Sequence, residues 1–423
     1  MEDAHLSLEM LAKWLSGGLE HDDVLGYVVP HFLARCSVCQ ERHREILQLQ
    51  EEVGHWNEEV AVLEGLEAPE LWNRLAGRPY DEQIRQVEED EDLQTWGLCQ
   101  LLLKKSLESV FKDPVQSVDL ANLAVKVAGH LGEAYDPNWV LDLRARAFAY
   151  LGNGRRVLGE LRSAEDAFQK SERCLARSGT GNTHLQAEIL DLKSSLRRAQ
   201  RRLEEALGLA DQALDLYGAS SDIRGVGKIL LQKAKIYEEE GGLDRAIAVL
   251  EEIPDEIDFA LDPRLFAYSR YNLLGCLTLM GEYKRAEQLL PEVRDLFRAI
   301  AQPLDLIRLR WAEGLIQLGF GQRGPAEAAF HEVRQEFLER QMGYDAALVS
   351  LDLARLYTQE GCTDELKRLA RELMPIFEAR DVHREAIVAL LMFQRACDEE
   401  RLTVELVQEI AGYLRRERRG GGI

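Results

Sequence analysis

This 423-residue sequence has few cysteines, no long apolar run and no surplus of positive charge. Its seven cysteines are odd in number and scattered along the chain, which argues against a disulfide framework and favours reduced thiols. No stretch reaches the roughly 18 uninterrupted apolar residues that a membrane helix needs, and the N-terminal residues Met1, Glu2 and Asp3 lack the basic start of a secretory signal. We therefore expect a cytoplasmic protein with no membrane partner.

Acidic residues outnumber basic ones, with 74 Asp and Glu against 52 Lys and Arg, so the formal net charge is -22. This negative charge repels the phosphates of nucleic acids and anionic membrane surfaces. The basic run 415–419 is interpreted as a set of cations at a helix C-terminus. The sequence predicts no nucleic-acid partner.

Signatures of catalysis are also missing. No segment matches a phosphate-binding loop G-x4-G-K-[ST], a nucleophile elbow G-x-S-x-G or a metalloprotease H-E-x2-H. The string from Gly319 to Gly324 matches G-x-G-x-x-G, but it follows a predicted helix rather than a strand. We interpret it as a turn between helices and predict that the protein is not an enzyme.

The composition is that of a folded helical protein, with 46% hydrophobic and 30% charged residues. Because single domains usually have about 100–150 residues, a chain of this length must either divide or repeat. A small residue recurs at intervals of 42 and then 40 residues, and Leu366 and Leu406 continue the interval. The recurring alanines are Ala164, Ala206, Ala246, Ala286 and Ala326.

A shared pattern surrounds these alanines. Its clearest copy contains Phe148, Leu151, Gly152, Asn153, Gly159, Ala164, Phe168 and Ser171. This copy resembles the tetratricopeptide repeat, a pair of antiparallel helices, although Arg155 replaces the usual aromatic residue. Small residues allow two helices to approach closely, apolar residues fill the seam, and a glycine ends the first helix.

We therefore predict an all-α fold, a right-handed superhelix of stacked antiparallel helix pairs over residues 93–416. The period of about 40 exceeds the 34 residues of the standard repeat. We interpret the difference as longer helices, as in the helical-repeat sensor domains of bacterial regulators, which this region resembles. Pro and Gly residues within 65–79 and an acidic run at 88–92 mark a boundary. The predicted division is 1–60 helical module, 61–92 linker and acidic helix start, 93–416 repeat array and 417–423 flexible tail.

The N-terminal region holds a potential metal site. His31, Cys36 and Cys39 form H-x4-C-x2-C, and His43 follows four residues later. Thiolate and imidazole ligands suit tetrahedral zinc. The stretch from His5 to Cys39 resembles the zinc-finger domain of bacterial zinc-binding anti-sigma factors. That resemblance implies His5 as the fourth zinc ligand, with His43 as its alternative, and a sigma factor as partner.

One departure from that family concerns spacing, because the family usually has three residues, not four, between the histidine and the first cysteine. Residues five apart on a continuous helix point about 140° away from each other, so zinc binding requires the helix to end before Cys36. In the alternative interpretation, Cys36 and Cys39 pack as small hydrophobic residues and His31 is a core residue.

The repeat register also predicts a binding groove on the first helix of each pair. Its side chains are Asn153, Arg156, Arg198, Lys228, Lys235, Tyr268, Tyr271, Arg308, Trp311 and Arg355. Cations and aromatic rings suit a protein or peptide with acidic residues and apolar anchors. Alternatively, these side chains pair with Asp and Glu of neighbouring helices.

Together these patterns predict a regulatory protein-interaction module that binds its partner in this groove, with an anti-sigma-like N-terminal module. The alternative is a general scaffold or assembly factor whose N-terminal module is purely structural.

Overall fold

The computed structural model describes most of the chain from residue 58 onward. The described ranges are 58–132, 134–254, 257, 262–300, 302–378, 384–398 and 401–417. Over these ranges the chain forms 18 α-helices and one 3-10 helix, and it forms no β-strand. No helix in these ranges is long and apolar enough to cross a membrane. The predicted all-α array of helix pairs is confirmed.

The helices begin where the sequence supplies capping residues. At the start of the helix Trp96–Ser109, the hydroxyl of Thr95 accepts a hydrogen bond from the backbone N–H of Leu98 at 3.2 Å. Such caps stabilise helix starts because the first N–H groups of a helix have no partner within it. Equivalent caps are formed by Asp113, Asp136, Asn182, Asp222 and Asp262.

The chain divides into two compact units at the junction of Gln200 and Arg201. Unit 1 contains α1 Glu58–Leu75, α2 Tyr80–Glu89, α3 Trp96–Ser109, α4 Pro114–His130, α5 Pro137–Val157, α6 Leu161–Ser178 and α7 Thr183–Ala199. Helices α3 and α4 form one antiparallel pair, and α5 and α6 form the next. Helix α7 packs on both α5 and α6.

The segment 61–92, predicted as a linker and acidic helix start, contains most of α1, all of α2 and a 3-10 turn. Helix α1 packs on α3, where the carboxylate of Glu64 accepts hydrogen bonds from the backbone N–H of Gly97 at 3.1 Å and the hydroxyl of Tyr135 at 2.8 Å. Helix α2 packs on α4. The described part of this segment is thus packed on the first helix pair, and the full set of domain boundaries stays a prediction.

Unit 2 continues the same construction. It contains α8 Leu203–Ala219, α9 Ile223–Glu240, α10 Leu243–Glu251, α11 Pro263–Met280, α12 Tyr283–Ile300, α13 Pro303–Gly319, α14 Arg323–Glu339, α15 Gly343–Glu360, α16 Thr363–Glu378, α17 Arg384–Asp398 and α18 Val404–Glu417. Consecutive helices from α8 to α18 pack on one another. The last helix, α18, packs on α15 as well as on α17.

The predicted repeat register is visible in the packing. The five recurring alanines have no exposed surface, as expected for small residues at close helix contacts. The turns that follow the first helices adopt left-handed backbone angles, with φ of 83° at Gly241 and 85° at Gly281. Arg201 takes the same conformation, with φ of 62°, in the copy that lacks a glycine. The interval of 40 residues therefore corresponds to one helix pair.

Candidate functional site

The predicted groove residues of unit 1 lie on α5 and α7. We call the surface that carries Arg146, Asn153, Arg156, Glu188, Asp191 and Arg198 the unit 1 surface. Asn153 is 5% exposed, and its side-chain oxygen accepts hydrogen bonds from Nε of Arg156 at 3.1 Å and from Nη2 at 2.8 Å. A neutral amide oxygen therefore orients this guanidinium without cancelling its charge.

A second cation lies near Arg156. The pKa of Arg156 is lowered to about 10, chiefly by burial and also by the like charge of Arg198, while the buried carboxylate of Asp191 opposes both effects. Two guanidinium groups and one carboxylate therefore act on this site, although acidic residues outnumber basic ones in the protein as a whole. Such a site favours an anionic group of a ligand.

Towards the start of α5 the charges on the same surface are balanced. Nε of Arg146 lies 3.0 Å from Glu188, and the hydroxyl of Tyr150 donates a 2.5 Å hydrogen bond to the same carboxylate. None of these three residues is among the predicted groove residues. The interval of 42 residues between Arg146 and Glu188 matches the repeat and could have revealed the pair.

In unit 2 the predicted groove residues lie on α9, α11, α13 and α15, and we call their surface the unit 2 surface. Lys228 is exposed and Lys235 is half-buried on α9, and both interact with other groups. Tyr268 and Tyr271 of α11 both pack against the ring of Phe297, with ring centroids 5.7 Å and 5.1 Å away. Both tyrosines are half-buried, so each contributes partly to the surface and partly to the core.

The hydroxyl of Tyr268 connects two first helices, because it donates a 2.8 Å hydrogen bond to Asp305 of α13. Burial raises the pKa of Tyr268, and the hydrogen bond and the negative charge of Asp305 raise it further. The same carboxylate accepts a hydrogen bond from the backbone N–H of Gln302 at 3.0 Å. Asp305 therefore caps α13 and holds Tyr268 in place.

Arg308 and Trp311 of α13 are largely buried, with 8% and 9% of their surface exposed. The indole Nε1 of Trp311 donates a 2.8 Å hydrogen bond to Asp352 of α15. Arg415 of α18 donates to the same carboxylate. These two predicted groove residues therefore make contacts inside the unit, and contact with a partner stays a prediction for them.

The last of the predicted groove residues is Arg355. It is half-buried on α15, one turn after Asp352, and its Nε is buried without a hydrogen-bond partner in the described part of the chain. Buried donors are nearly always satisfied in folded proteins, and contact of this donor with a partner stays a prediction.

The predicted zinc ligands His5, His31, Cys36, Cys39 and the alternative His43 lie outside the described residues. From residue 58 onward, the described histidines, cysteines and carboxylates form no cluster of three that could hold a metal ion. Zinc binding therefore stays a prediction.

Comparisons with known proteins agree with the fold. No protein-family model and no curated protein matches the chain. Several solved structures are similar to it, including the following two. A Rap protein complexed with competence and sporulation factor is 14% identical, covers 75% of this chain and 96% of its own, and has a TM-score of 0.52. Aspartyl phosphate phosphatase F from Bacillus subtilis is 12% identical, covers 88% of this chain and 95% of its own, and has a TM-score of 0.51. At these identities the likeness shows the fold, which is that of tetratricopeptide-like helical-repeat proteins.

Proposed function

We propose that the protein is a non-enzymatic, cytoplasmic regulatory module that binds a partner protein or peptide on the first helices of its repeats. The observation that carries this proposal is that two arginines of neighbouring first helices, Arg156 and Arg198, interact with each other on the unit 1 surface. The partner then has an acidic segment with apolar anchors, because cations steer such a segment and aromatic side chains supply contact area.

One of the similar solved structures shows a helical-repeat protein together with a binding partner. The Rap protein is complexed with competence and sporulation factor, which is consistent with a helical-repeat surface that holds a partner. The second structure carries the name of a phosphatase. A shared fold at such low identity does not transfer an activity, because function depends on the residues of a site.

The test is selection of ligands by the full chain from a library of random short peptides. We expect the selected peptides to be rich in Asp and Glu and to contain aromatic or large aliphatic residues. Arg198→Glu should weaken their binding by at least about tenfold, since a charge-assisted hydrogen bond contributes about 1.5–3 kcal/mol. The matched control is Arg298→Gln, which removes an exposed arginine of α12 that pairs with Asp295.

Two results would contradict the proposal. One is the selection of basic peptides. The other is equal binding of the selected peptides by the original chain and by Arg198→Glu, with unchanged circular dichroism for that variant. If Arg298→Gln weakens binding as much as Arg198→Glu, the effect comes from overall charge rather than from the unit 1 surface.

The finer proposal is that residues 1–60 make this module an anti-sigma-like regulator. It rests on His31, Cys36 and Cys39 with His5, and it implies about one zinc per chain purified under reducing conditions. Elemental analysis of the protein tests it, together with co-purification of a sigma factor. A chain without zinc after refolding with excess zinc favours the alternative, a scaffold or assembly factor with a purely structural N-terminal module.

A further inference from the structure

Three of the unit 1 arginines that have no charged or hydrogen-bonding partner in the described part of the chain lie on α5 and on the second half of α6. They are Arg144 on α5 and Arg173 and Arg177 on α6. Nε of Arg144 is buried without an acceptor, whereas Arg173 and Arg177 are exposed. By contrast, Arg146 and Arg155 on the same helix α5 both donate hydrogen bonds within the unit. The three arginines therefore keep their donors available.

The packing of α5 on α6 places these arginines close together. The hydroxyl of Ser171 on α6 donates a 2.7 Å hydrogen bond to the backbone oxygen of Ala145 on α5. This contact brings Arg144 beside the turn of α6 that follows Ser171. Arg173 and Arg177 are four residues apart and so lie on one face of that helix.

The charges of these arginines affect the pKa of the thiol of Cys174. Burial raises the pKa of its thiol, whereas the charges of Arg144, Arg177 and Arg173 each lower it. The charges of all three guanidinium groups thus act on one half-buried thiol. Like charges on two packed helices repel one another, and a bound anion would relieve that repulsion.

Carboxylates on the same two helices are engaged elsewhere. Glu172, next to Arg173, pairs with Lys193 of α7. Asp142 accepts a hydrogen bond from the hydroxyl of Thr180 at 2.7 Å. Neither carboxylate is recorded as a partner of Arg144, Arg173 or Arg177 in the described part of the chain.

We propose that Arg144, Arg173 and Arg177 form a binding site for a phosphate group. A guanidinium presents several N–H donors in one plane and binds phosphate oxygens in pairs, so three guanidiniums on two packed helices supply donors for a compact anion with several acceptor oxygens. An extended acidic peptide fits less well, because its carboxylates are spread along the chain. This site is independent of the unit 1 surface and of the function proposed for it.

The experiment is calorimetric titration of the full chain with inorganic phosphate and, separately, with O-phosphoserine, at constant ionic strength. We expect saturable binding that Arg144→Gln and Arg177→Gln each weaken by at least about tenfold. Arg298→Gln serves as the control for a lost surface charge and should bind normally. Arg177 is exposed, so its variant tests the site even if Arg144→Gln folds poorly.

A second readout is alkylation of Cys174 by iodoacetamide, located by peptide mass spectrometry. Bound phosphate should slow this reaction, because it covers the thiol and disfavours the thiolate, while Cys362 should react at an unchanged rate. Binding of both probes indicates a site for free phosphate, and binding of O-phosphoserine alone indicates a phosphorylated side chain. Absence of saturable binding, or equal weakening in Arg298→Gln, would overturn the proposal.

Discussion

The indole Nε1 of Trp311 donates a 2.8 Å hydrogen bond to the carboxylate of Asp352 on the neighbouring first helix. Arg415 completes the arrangement, since its Nη2 lies 2.9 Å and 3.0 Å from the two oxygens of the same carboxylate. The side chain of Asp352 is only 3% exposed. The buried carboxylate of Asp352 thus links its own helix α15 to α13 and α18. Its two partners, Trp311 and Arg415, lie far from it in the sequence.

Removal of the indole donor should destabilise unit 2. Trp311→Phe keeps an aromatic ring against Phe337, whose centroid lies 6.0 Å away, but it removes the hydrogen bond. We expect a loss of about 1–3 kcal/mol in the free energy of unfolding, and Trp311→Ala should lose about 3–5 kcal/mol. Urea unfolding followed by circular dichroism measures both. An unchanged midpoint for Trp311→Phe would show that the hydrogen bond to Asp352 contributes nothing.

The contact between α1 and α3 requires a glycine. A Cβ at Gly97 would lie 2.2 Å from the backbone oxygen of Glu64, so Gly97→Ala must push α1 away. We expect loss of the Glu64 hydrogen bonds and faster hydrogen exchange along α1. The control is Gly208→Ala in α8, where a Cβ meets nothing within 4 Å, and a gain of about 0.5–1 kcal/mol is expected. Unchanged exchange in Gly97→Ala would mean that α1 is not held at this contact.

The repeat was predictable from the sequence because its signals are local. A close helix contact requires a small residue such as Ala246, and a left-handed turn favours a glycine such as Gly281. Where Arg201 takes the place of that glycine, the local signal disappears although the backbone conformation remains. Periodicity therefore located the helix pairs better than any single turn.

The partners of the groove residues were not predictable in the same way. Asp352 lies 41 residues from Trp311 and 63 from Arg415, and the repeat interval brings only the first pair near each other. The contact with Arg415 depends on how the last helix packs on α15, which periodicity does not determine. Likewise, Asn153 was predicted to bind a partner, yet its oxygen is engaged by Arg156.

Lowering the pH should remove the stabilisation that the ionised carboxylate of Glu165 gives to unit 1. Hydrogen bonds from Arg197 lower the pKa of Glu165 to about 2. A lowered pKa in the folded state stabilises the fold above the ordinary pKa of about 4.5, and this contribution disappears as the pH falls towards about 2. Glu165→Gln should therefore lower the urea midpoint near neutral pH and have little effect near pH 2. In an Arg197→Met background this pH dependence should vanish, and its persistence would assign the effect to another group.

Two arginines of unit 2 should distinguish an effect on stability from an effect on binding. Arg415 donates to a buried carboxylate, so Arg415→Met should lower the free energy of unfolding by about 1.5–3 kcal/mol.

Arg355 has a buried Nε without an acceptor in the described residues. Arg355→Met keeps the apolar stem and removes the unsatisfied donor, so stability should change by less than about 0.5 kcal/mol or rise. If Arg355 contacts the partner, this variant should nevertheless bind the selected acidic peptides about tenfold more weakly. Urea unfolding and fluorescence anisotropy with a labelled peptide measure the two effects on the same preparations. A destabilised Arg355→Met that binds normally would make Arg355 a structural residue and would restrict the proposed binding surface to the remaining first-helix side chains.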